Sequence, residues 1–303
     1  MNGRTYHAYG LTIRVPFACT ALPTADPRSA ADVPDVVVRA GPVPRRLSAP
    51  RAGEGAWQAA PEAFLLRGGS RAGRFLVQAG TVTFERNPGC DDAVLASWFT
   101  HYVLPALLHQ RGLLVLHANA VLAPGGVIVI GGESGAGKST TTAALLNAGC
   151  RMLSDDLTAL RRGTPGTVDV VPGMAEVHLA GNAAAGLGYR IAPAQLQPLR
   201  RMKAAIPTGD GMAVRPGRLH ALYVLRLSGG DDVTVTQLSG GEKFRALQEC
   251  LYGPVFAEDH PALFSLMTAV TTVPFFFLDR PAGRWSVSEV TREILGRAAE
   301  PVG

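Results

Sequence analysis

The segment Gly132–Ser139 constrains the fold of this 303-residue chain more than any other feature. It carries the required residue at every fixed position of the pattern G-x-x-x-x-G-K-[ST]. An apolar strand pattern, Val127–Ile130, precedes it, and a helical pattern, Ser139–Asn147, follows and ends before Gly149. Glycines let successive backbone N–H groups converge on an anion, and the start of the helix adds positive partial charge there. The segment therefore predicts an α/β core with a phosphate-binding loop between a strand and a helix.

The same segment predicts a nucleotide and its metal ion. The Lys138 ammonium is expected to bridge the β- and γ-phosphates, and the Ser139 hydroxyl to bind Mg²⁺, so the expected cofactors are ATP and Mg²⁺. The chain has only three lysines, and one of them stands at the required position, which speaks against a chance glycine turn. The residues expected to hold the nucleotide are Gly132, Glu133, Ser134, Gly135, Ala136, Gly137, Lys138, Ser139 and Thr140.

An aspartate pair follows the next strand pattern. Arg151–Ser154 ends in Asp155-Asp156, which a parallel sheet would bring to its carboxyl edge beside the phosphates. One carboxylate can hold Mg²⁺ through water, and its neighbour, which points elsewhere, can take a proton from an acceptor hydroxyl. The alternative is that the pair only caps the following turn, because aspartate is common at such positions.

Composition excludes several classes of protein. Apolar residues make up 47% and charged residues 17%, which fits a globular chain and not a disordered, collagenous or coiled-coil one. The net charge of +5 suits anionic ligands, but no Lys/Arg block is long enough to indicate nucleic-acid binding. The four cysteines form no C-x-x-C pair, which indicates neither a zinc site nor a disulfide framework. A cytoplasmic setting is expected, and the turn at Pro124-Gly125 splits the apolar stretch Gly112–Gly132 into two strands, so no membrane span is expected.

Two regions are expected along the chain. Residues 1–90 have a β-rich pattern, with a loose loop over 40–62, and could dock a substrate. Residues 91–303 form the predicted α/β domain, beginning with a helix from Ala93 to about His109 that Asp91-Asp92 cap and Pro105 kinks. The strand patterns of the first region are Tyr6–Val15, Val36–Arg39, Phe64–Arg67, Arg74–Gln78 and Thr81–Arg86. The later strand and helix patterns are Leu113–Ala123, Ala221–Leu227, Val233–Gln237, Phe275–Leu278, Glu242–Leu251, Pro261–Val270 and Ser288–Ala299.

Residues 112–160 resemble the kinase domain of bacterial HPr kinase/phosphorylase. His117-Ala118, the strand pair, the glycine loop and Leu153-Ser154-Asp155-Asp156 occur in that family's order. His117 lies 21 positions before Lys138, and Asp156 lies 18 after it, as in that family. The resemblance implies a P-loop kinase core of the HPr-kinase/PEP-carboxykinase-like type, with Asp156 as the base. It also implies that Asp155 is a metal-binding or supporting group and that His117 supports the active site.

Further along the chain the resemblance concerns the metal and the acceptor. Glu176 stands where the HPr enzymes have a metal-binding glutamate, but His178 replaces their signature arginine, which argues against HPr as acceptor and against the reverse reaction. Lys203, with Arg201 beside it, is a candidate second cation for the transferring phosphoryl group, or a solvated basic loop.

The layout of the whole chain is similar to that of HPr-kinase-like enzymes of peptide natural-product clusters, such as lasso-peptide precursor kinases. The shared features are the β-rich start, the Arg111–His117 strand and the Val273–Leu278 strand. This resemblance implies phosphorylation of a serine hydroxyl on a precursor peptide or small protein. HPr kinases are hexamers, so the resemblance to them admits a homo-oligomer and leaves the oligomeric state open.

Two other functions compete with this interpretation. Leu238–Glu242 resembles the signature of ABC transport ATPases, and Phe275–Pro281 resembles a Walker B strand. Arg280, however, stands where such an ATPase needs a catalytic glutamate, and Ser239-Gly240-Gly241 is typical of a helix cap. The third function is a nucleotide-binding module without catalysis, against which the intact Lys138, Ser139 and aspartate pair argue.

Overall fold

The computed structural model describes residues 3–25, 33–53, 55–78, 80–174, 176–192, 203–206, 208, 212–253 and 261–299. Its contacts divide the chain into two compact units, Met1–Val115 with Tyr252–Ser265, and Leu116–Leu251 with Leu266–Gly303. The helical segment after residue 90 thus belongs to the first unit, whereas composition favoured a boundary at 90. Packing between distant segments decides the division, and composition does not record it.

The first unit contains one seven-stranded sheet. Its strand order is β1-β2-β3-β7-β6-β5-β4, with β3 parallel to both neighbours and the other pairs antiparallel. The predicted strand Tyr6–Val15 is two strands, because Tyr9 and Gly10 have positive φ and form a tight turn. The strands are β1 Arg4–Ala8, β2 Leu11–Val15, β3 Val36–Ala40, β4 Trp57–Ala60, β5 Ala63–Arg67, β6 Gly73–Gln78 and β7 Thr81–Arg86.

The helical part of the first unit departs from the predicted single helix. A short helix, α1 (Gly69–Ala72), precedes α2 (Asp92–Trp98), a π-helical turn and α3 (Leu104–Gln110). Asp91 caps α2 by accepting a hydrogen bond from the Val94 N–H, 2.8 Å away, as expected. The π-helical turn, Phe99–Val103, ends two residues before Pro105, which has no N–H to donate to the preceding turn. The irregularity therefore widens the helix where a kink was predicted.

The second unit is built on a mixed sheet. From one edge the strands run β11-β9-β10-β16-β18-β17. At its first residues β16 also pairs with β13, which in turn pairs with β12. Leu114–Leu116 (β8) leads into the unit, and a separate ribbon pairs β14 with β15. The strands are β9 Asn119–Ala123, β10 Gly126–Gly132, β11 Arg151–Ser154, β12 Thr158–Arg162, β13 Val168–Val171, β14 Val177–Ala180, β15 Lys203–Ile206, β16 Gly217–Ser228, β17 Thr234–Gln237 and β18 Phe275–Pro281. The remaining helices are α4 Lys138–Asn147, α5 Gly181–Gly186, α6 Gly240–Cys250, α7 Pro261–Val270 and α8 Val287–Ala298.

Strand direction gathers the loops at one edge of this sheet. β10, β16 and β18 are parallel neighbours. β9 pairs antiparallel with both β10 and β11, so β11 also runs in the direction of β10. The sequence predicted that β11 would lie next to β10 in a parallel sheet. In the structure β9 lies between them, because it forms a hairpin with β10. Chain segments that follow β10, β11 and β18 nevertheless leave the sheet at the same edge.

Helices α4 and α8 pack on the sheet around an apolar core. Leu145 of α4 and Ile294 of α8 are buried among side chains such as Ile130 and Tyr223. The Tyr223 ring stacks on Phe276, with centroids 4.9 Å apart. Both helices therefore pack on the same apolar cluster of the sheet. Within the described residues, no helix has the length and apolar character that crossing a membrane requires.

Candidate nucleotide and phosphotransfer site

The glycine-rich loop connects β10 to α4. The backbone φ is positive at three glycines of the loop, with values of 130° at Gly132, 93° at Gly135 and 105° at Gly137. Such conformations are unfavourable for residues that have a side chain. The Ala136 N–H donates to the Glu133 carbonyl across 3.1 Å, which closes the turn. A glycine-rich backbone of this kind, followed directly by the first turn of a helix, is typical of phosphate-binding loops.

Lys138 crosses the loop from the first position of α4. Its Nζ donates to the carbonyl oxygens of Gly132 at 2.7 Å and of Glu133 at 3.3 Å. The residue is only 8% exposed, and burial lowers the pKa of its ammonium group. Because a buried cation needs compensating charge, a phosphate oxygen within the loop would stabilise the protonated lysine.

The two aspartates of the predicted pair have separate environments. Asp156 has φ of 62° and is the central residue of a three-residue turn that the Leu157 N–H closes on the Asp155 carbonyl at 2.6 Å. Such turns are rare and strained for a residue with a side chain. Asp156 lines the cleft beside the loop, whereas Asp155 is 5% exposed and is absent from the lining among the described residues. The metal-binding role predicted for Asp155 stays a prediction.

His117 and Asn119 hold Asp156 in this conformation. The Asn119 Oδ1 accepts a hydrogen bond from the Asp156 N–H at 3.1 Å. The Nδ1 of His117 lies 3.2 Å from both the carbonyl oxygen and Oδ1 of Asp156. Burial lowers the pKa of His117, although Asp156 opposes that shift, so the neutral ring is favoured. Both partners of Nδ1 are acceptors, so this nitrogen carries the proton of the neutral ring.

A cleft of about 490 Å³ is lined both by the glycine-rich loop and by Asp156. Lys203 on β15 lines it together with Lys138, Asp156 and His117, and its charge contributes to lowering the pKa of both Lys138 and His117. Two of the candidate cations therefore lie within electrostatic range of each other. Arg201 lies outside the described residues.

The predicted metal ligands do not converge. Among Ser139, Asp155 and Glu176, only Ser139 lines the cleft in the described part of the chain. The Glu176 Oε2 instead lies 3.6 Å from Nε2 of His178, and His178 lines the cleft. Across the described ranges, no group of three or more His, Cys, Asp or Glu side chains is positioned to hold a metal ion.

Magnesium nonetheless fits the donors that are present. Mg²⁺ takes oxygen ligands, and at nucleotide sites one or two protein oxygens suffice because phosphates and water complete the octahedron. The Ser139 hydroxyl is such an oxygen, and it lines the cleft. Ser139 would hold the ion beside the phosphates.

Arg280 is a site residue that the sequence analysis considered only as evidence against an ATPase. It follows the buried part of β18, and its Nε donates to the Ala136 carbonyl at 2.7 Å. A Cβ on Gly137 would lie 3.1 Å from the guanidinium, so the cation lies against the loop itself. Burial lowers the pKa of Arg280, but a guanidinium remains charged at any physiological pH. The signal in the sequence was an arginine at the end of a buried strand.

The features that resemble an ABC ATPase have structural explanations. Asp279 forms a two-pronged ion pair with Arg226, at 2.8 and 2.7 Å, and is absent from the cleft lining in the described residues. Ser239 and Glu242 form a capping box at the start of α6, with the Ser239 N–H 3.2 Å from Oε2 of Glu242. Neither segment therefore supplies the chemistry that the ATPase interpretation requires.

Comparison with known proteins identifies remote structural likenesses only. No family model matches the chain, and no curated protein matches it significantly. The solved structure of the HPr(Ser) kinase/phosphatase from Coxiella burnetii is similar over 60% of this chain and 88% of that one, with 15% identity and a TM-score of 0.31. A chemistry for this chain therefore rests on its own residues.

Proposed function

We propose that this protein is an ATP-dependent phosphotransferase that transfers the γ-phosphoryl group to a hydroxyl. The observation that carries the proposal is the shared cleft: the loop with Lys138, the cations Lys203 and Arg280, and the carboxylate of Asp156 all line it. Cations and backbone donors for the phosphates, and a carboxylate for the acceptor proton, are the two requirements of phosphoryl transfer to an alcohol.

In the proposed reaction, Asp156 accepts the proton of the acceptor hydroxyl. That oxygen then bonds to the γ-phosphorus as the bond from phosphorus to the β–γ bridging oxygen breaks, and the electron pair leaves with ADP. Lys138 and Arg280 stabilise the negative charge on the transferring group and the leaving group. His117 acts through Asp156 and is a positioning residue. Bound magnesium would neutralise charge on the phosphates.

The acceptor that we propose is a serine hydroxyl on a ribosomally made precursor peptide. The support is the resemblance in layout to precursor-peptide kinases, together with the access to Asp156, whose side chain keeps 34% of its exposure. An extended peptide can bring a serine to a carboxylate at an open cleft. The reaction class does not depend on this choice of acceptor.

The test is incubation with [γ-³²P]ATP, Mg²⁺ and the peptides encoded beside the gene, followed by mass spectrometry. We expect an added phosphate on a serine with the wild-type protein and none with Asp156→Asn. Release of inorganic phosphate that is independent of any acceptor would favour an ATPase. Tight Mg-ATP binding with no transfer to any peptide or free serine would favour a binding module and contradict the proposal.

A further inference from the structure

The segment after β18 forms a second half of the cleft that the phosphate chemistry does not use. Ala282, Gly283, Arg284, Trp285, Ser286 and Val287 all line the cleft beside the glycine loop. Trp285 is 48% exposed, which is unusual for the largest apolar side chain. Ser286 is 2% exposed, and its Oγ has no hydrogen-bond partner within the described residues. An exposed indole beside a buried, unsatisfied hydroxyl indicates a ligand that supplies a flat ring and a polar atom.

We propose that Trp285 stacks on the nucleobase of the bound nucleoside triphosphate and that the Ser286 hydroxyl hydrogen-bonds to an oxygen of the same molecule. This inference rests on the proposed function, since it assumes that the glycine loop holds a triphosphate. It assigns the end of the cleft opposite the acceptor to the base of the nucleotide.

The order of strands in the sheet favours a nucleobase over an acceptor peptide as the group that Trp285 contacts. β10, which carries the loop, lies two strands from β11 on one side and two strands from β18 on the other. At about 4.8 Å per strand, Asp156 and the segment after β18 lie about 10 Å to opposite sides of the loop. The acceptor must meet Asp156, so the α-phosphate, ribose and base extend toward β18 and α8. Trp285 follows β18 in the chain, and its ring lies against Gly186 at the end of α5.

The indole is close enough to the loop for this role. Arg280 touches the loop at Ala136, and an extended chain of five residues from there to Trp285 spans at most about 18 Å. The chain bends at residues 282–284, so the true separation is shorter. Thr140 near the start of α4 and Val287 at the start of α8 also line the same cleft.

The ring is held in place before any ligand arrives. A Cβ on Gly186 would lie 2.8 Å from two indole carbons, so one part of the ring packs on glycine backbone at the end of α5. The neighbouring Arg284 pairs with both carboxylate oxygens of Glu289, at 2.6 and 2.8 Å, and donates to the Asp231 carbonyl at 2.9 Å. A pre-ordered aromatic platform loses little conformational entropy on binding, which favours affinity.

The experiment compares two ligands that share the phosphates but not the base. Dissociation constants for Mg-ATP and for Mg-tripolyphosphate are measured by calorimetry on the wild-type protein, Trp285→Ala, Trp285→Phe and Leu227→Ala. Leu227 is a matched control because it is a 52% exposed apolar residue of the same unit that is absent from the described lining of the cleft. Trp285→Ala is expected to weaken the binding of Mg-ATP roughly 5- to 100-fold, since one base stack contributes about 1–3 kcal/mol. The affinity for tripolyphosphate is expected to stay unchanged. Trp285→Phe restores most of the affinity, and Leu227→Ala changes neither ligand.

The other outcomes separate this inference from the proposed function. If Trp285→Ala leaves Mg-ATP binding unchanged, or raises only the KM for an acceptor peptide, the nucleobase assignment is wrong while the phosphotransferase stands. If the wild-type protein binds neither ligand, the proposed function itself fails. Ser286→Ala is expected to weaken Mg-ATP about 2- to 10-fold, and an unchanged affinity overturns the role of that hydroxyl. Quenching of Trp285 fluorescence by ATP and not by tripolyphosphate, in a Trp57→Phe/Trp98→Phe background, reports the stack directly.

Discussion

The imidazole Nδ1 of His117 lies 3.2 Å from Oδ1 of Asp156 and 3.2 Å from the same residue's carbonyl oxygen. One ring nitrogen thus contacts both the backbone and the carboxylate of a residue whose φ is 62°. Asn119 binds the N–H of Asp156 from the neighbouring strand. The backbone of Asp156 is therefore strained, and its carboxylate is held at the edge of the cleft, which suits the proton acceptor that we propose.

Substitutions of Asp156 separate its backbone role from its chemistry. We expect Asp156→Asn, Asp156→Gly and Asp156→Ala to lower the rate of phosphoryl transfer about 10²- to 10⁴-fold, since each removes the proposed base. Stability is expected to differ, because asparagine and glycine accept positive φ, whereas alanine loses about 1–2 kcal/mol there. Thermal unfolding beside single-turnover kinetics checks both expectations. Near-normal turnover of Asp156→Asn would exclude Asp156 as the base.

Lys138 can be compared with a second lysine that has similar local contacts. Lys243 Nζ donates to the carbonyls of Thr271 and Val273 at 3.1 and 2.9 Å, as Lys138 Nζ donates to two loop carbonyls. Lys138→Ala is expected to abolish detectable Mg-ATP binding and transfer. Lys243→Ala is expected to lower the melting temperature and leave the ATP affinity intact. Equal losses of affinity in both variants would show that the effect is general instability.

Arg280 contributes both a contact to the loop and a charge. We expect Arg280→Gln to lower kcat/KM for Mg-ATP at least about a hundredfold, the effect of removing one donor aimed at developing charge. Arg280→Lys is expected to restore little, because a lysine cannot donate to the Ala136 carbonyl and also present a planar fork to phosphate. The control is Arg226→Gln, which breaks a surface ion pair with Asp279 that contributes at most about 1 kcal/mol to stability. Full recovery of kcat/KM in Arg280→Lys would mean that Arg280 acts only through its positive charge.

His117 predicts a specific pH dependence of stability. Burial lowers its pKa in the folded protein below the ordinary value of 6.5, so between those two pKa values the unfolded chain binds more protons than the folded one. Stability therefore falls as pH decreases below about 6.5 and stops falling below the folded pKa. In denaturant titrations at pH 7.5 and 5.5, His117→Asn is expected to lose less stability on acidification than the wild type. An identical loss would mean that His117 keeps an ordinary pKa.

The thiol of Cys250 leaves no room for a side chain at Gly131. A Cβ at this position would lie 2.5 Å from the Sγ of Cys250, whose thiol pKa burial raises to about 11. Gly131→Ala is expected to destabilise the protein by about 1–3 kcal/mol through overpacking. Cys250→Ala leaves a cavity, and adding it to Gly131→Ala should recover stability, which a double-mutant cycle measures as coupling. Additive losses would mean that the two positions are independent.

Local sequence determined the parts of this protein that depend on neighbouring residues. The glycine positions determine where the backbone can take positive φ, so Gly132–Ser139 predicted both the loop and the helix that begins at Lys138. The Arg151–Ser154 strand was predicted with its observed ends, and several helices were predicted to within two residues. Periodicity also identified most strands of the first unit but missed Trp57–Ala60, a four-residue strand within a stretch rich in Pro, Ala, Gly and Arg.

Only the tertiary structure decided which residues share the cleft. The identical neighbours Asp155 and Asp156 differ because a positive φ turns one toward the cleft while the other is buried, and nothing in a pair of aspartates predicts that division. Arg280 reaches Ala136 across 144 positions because β18 and β10 run in the same direction on either side of β16. Strand order and register depend on burial summed over the whole sheet, so contacts of this range are not encoded in any local pattern.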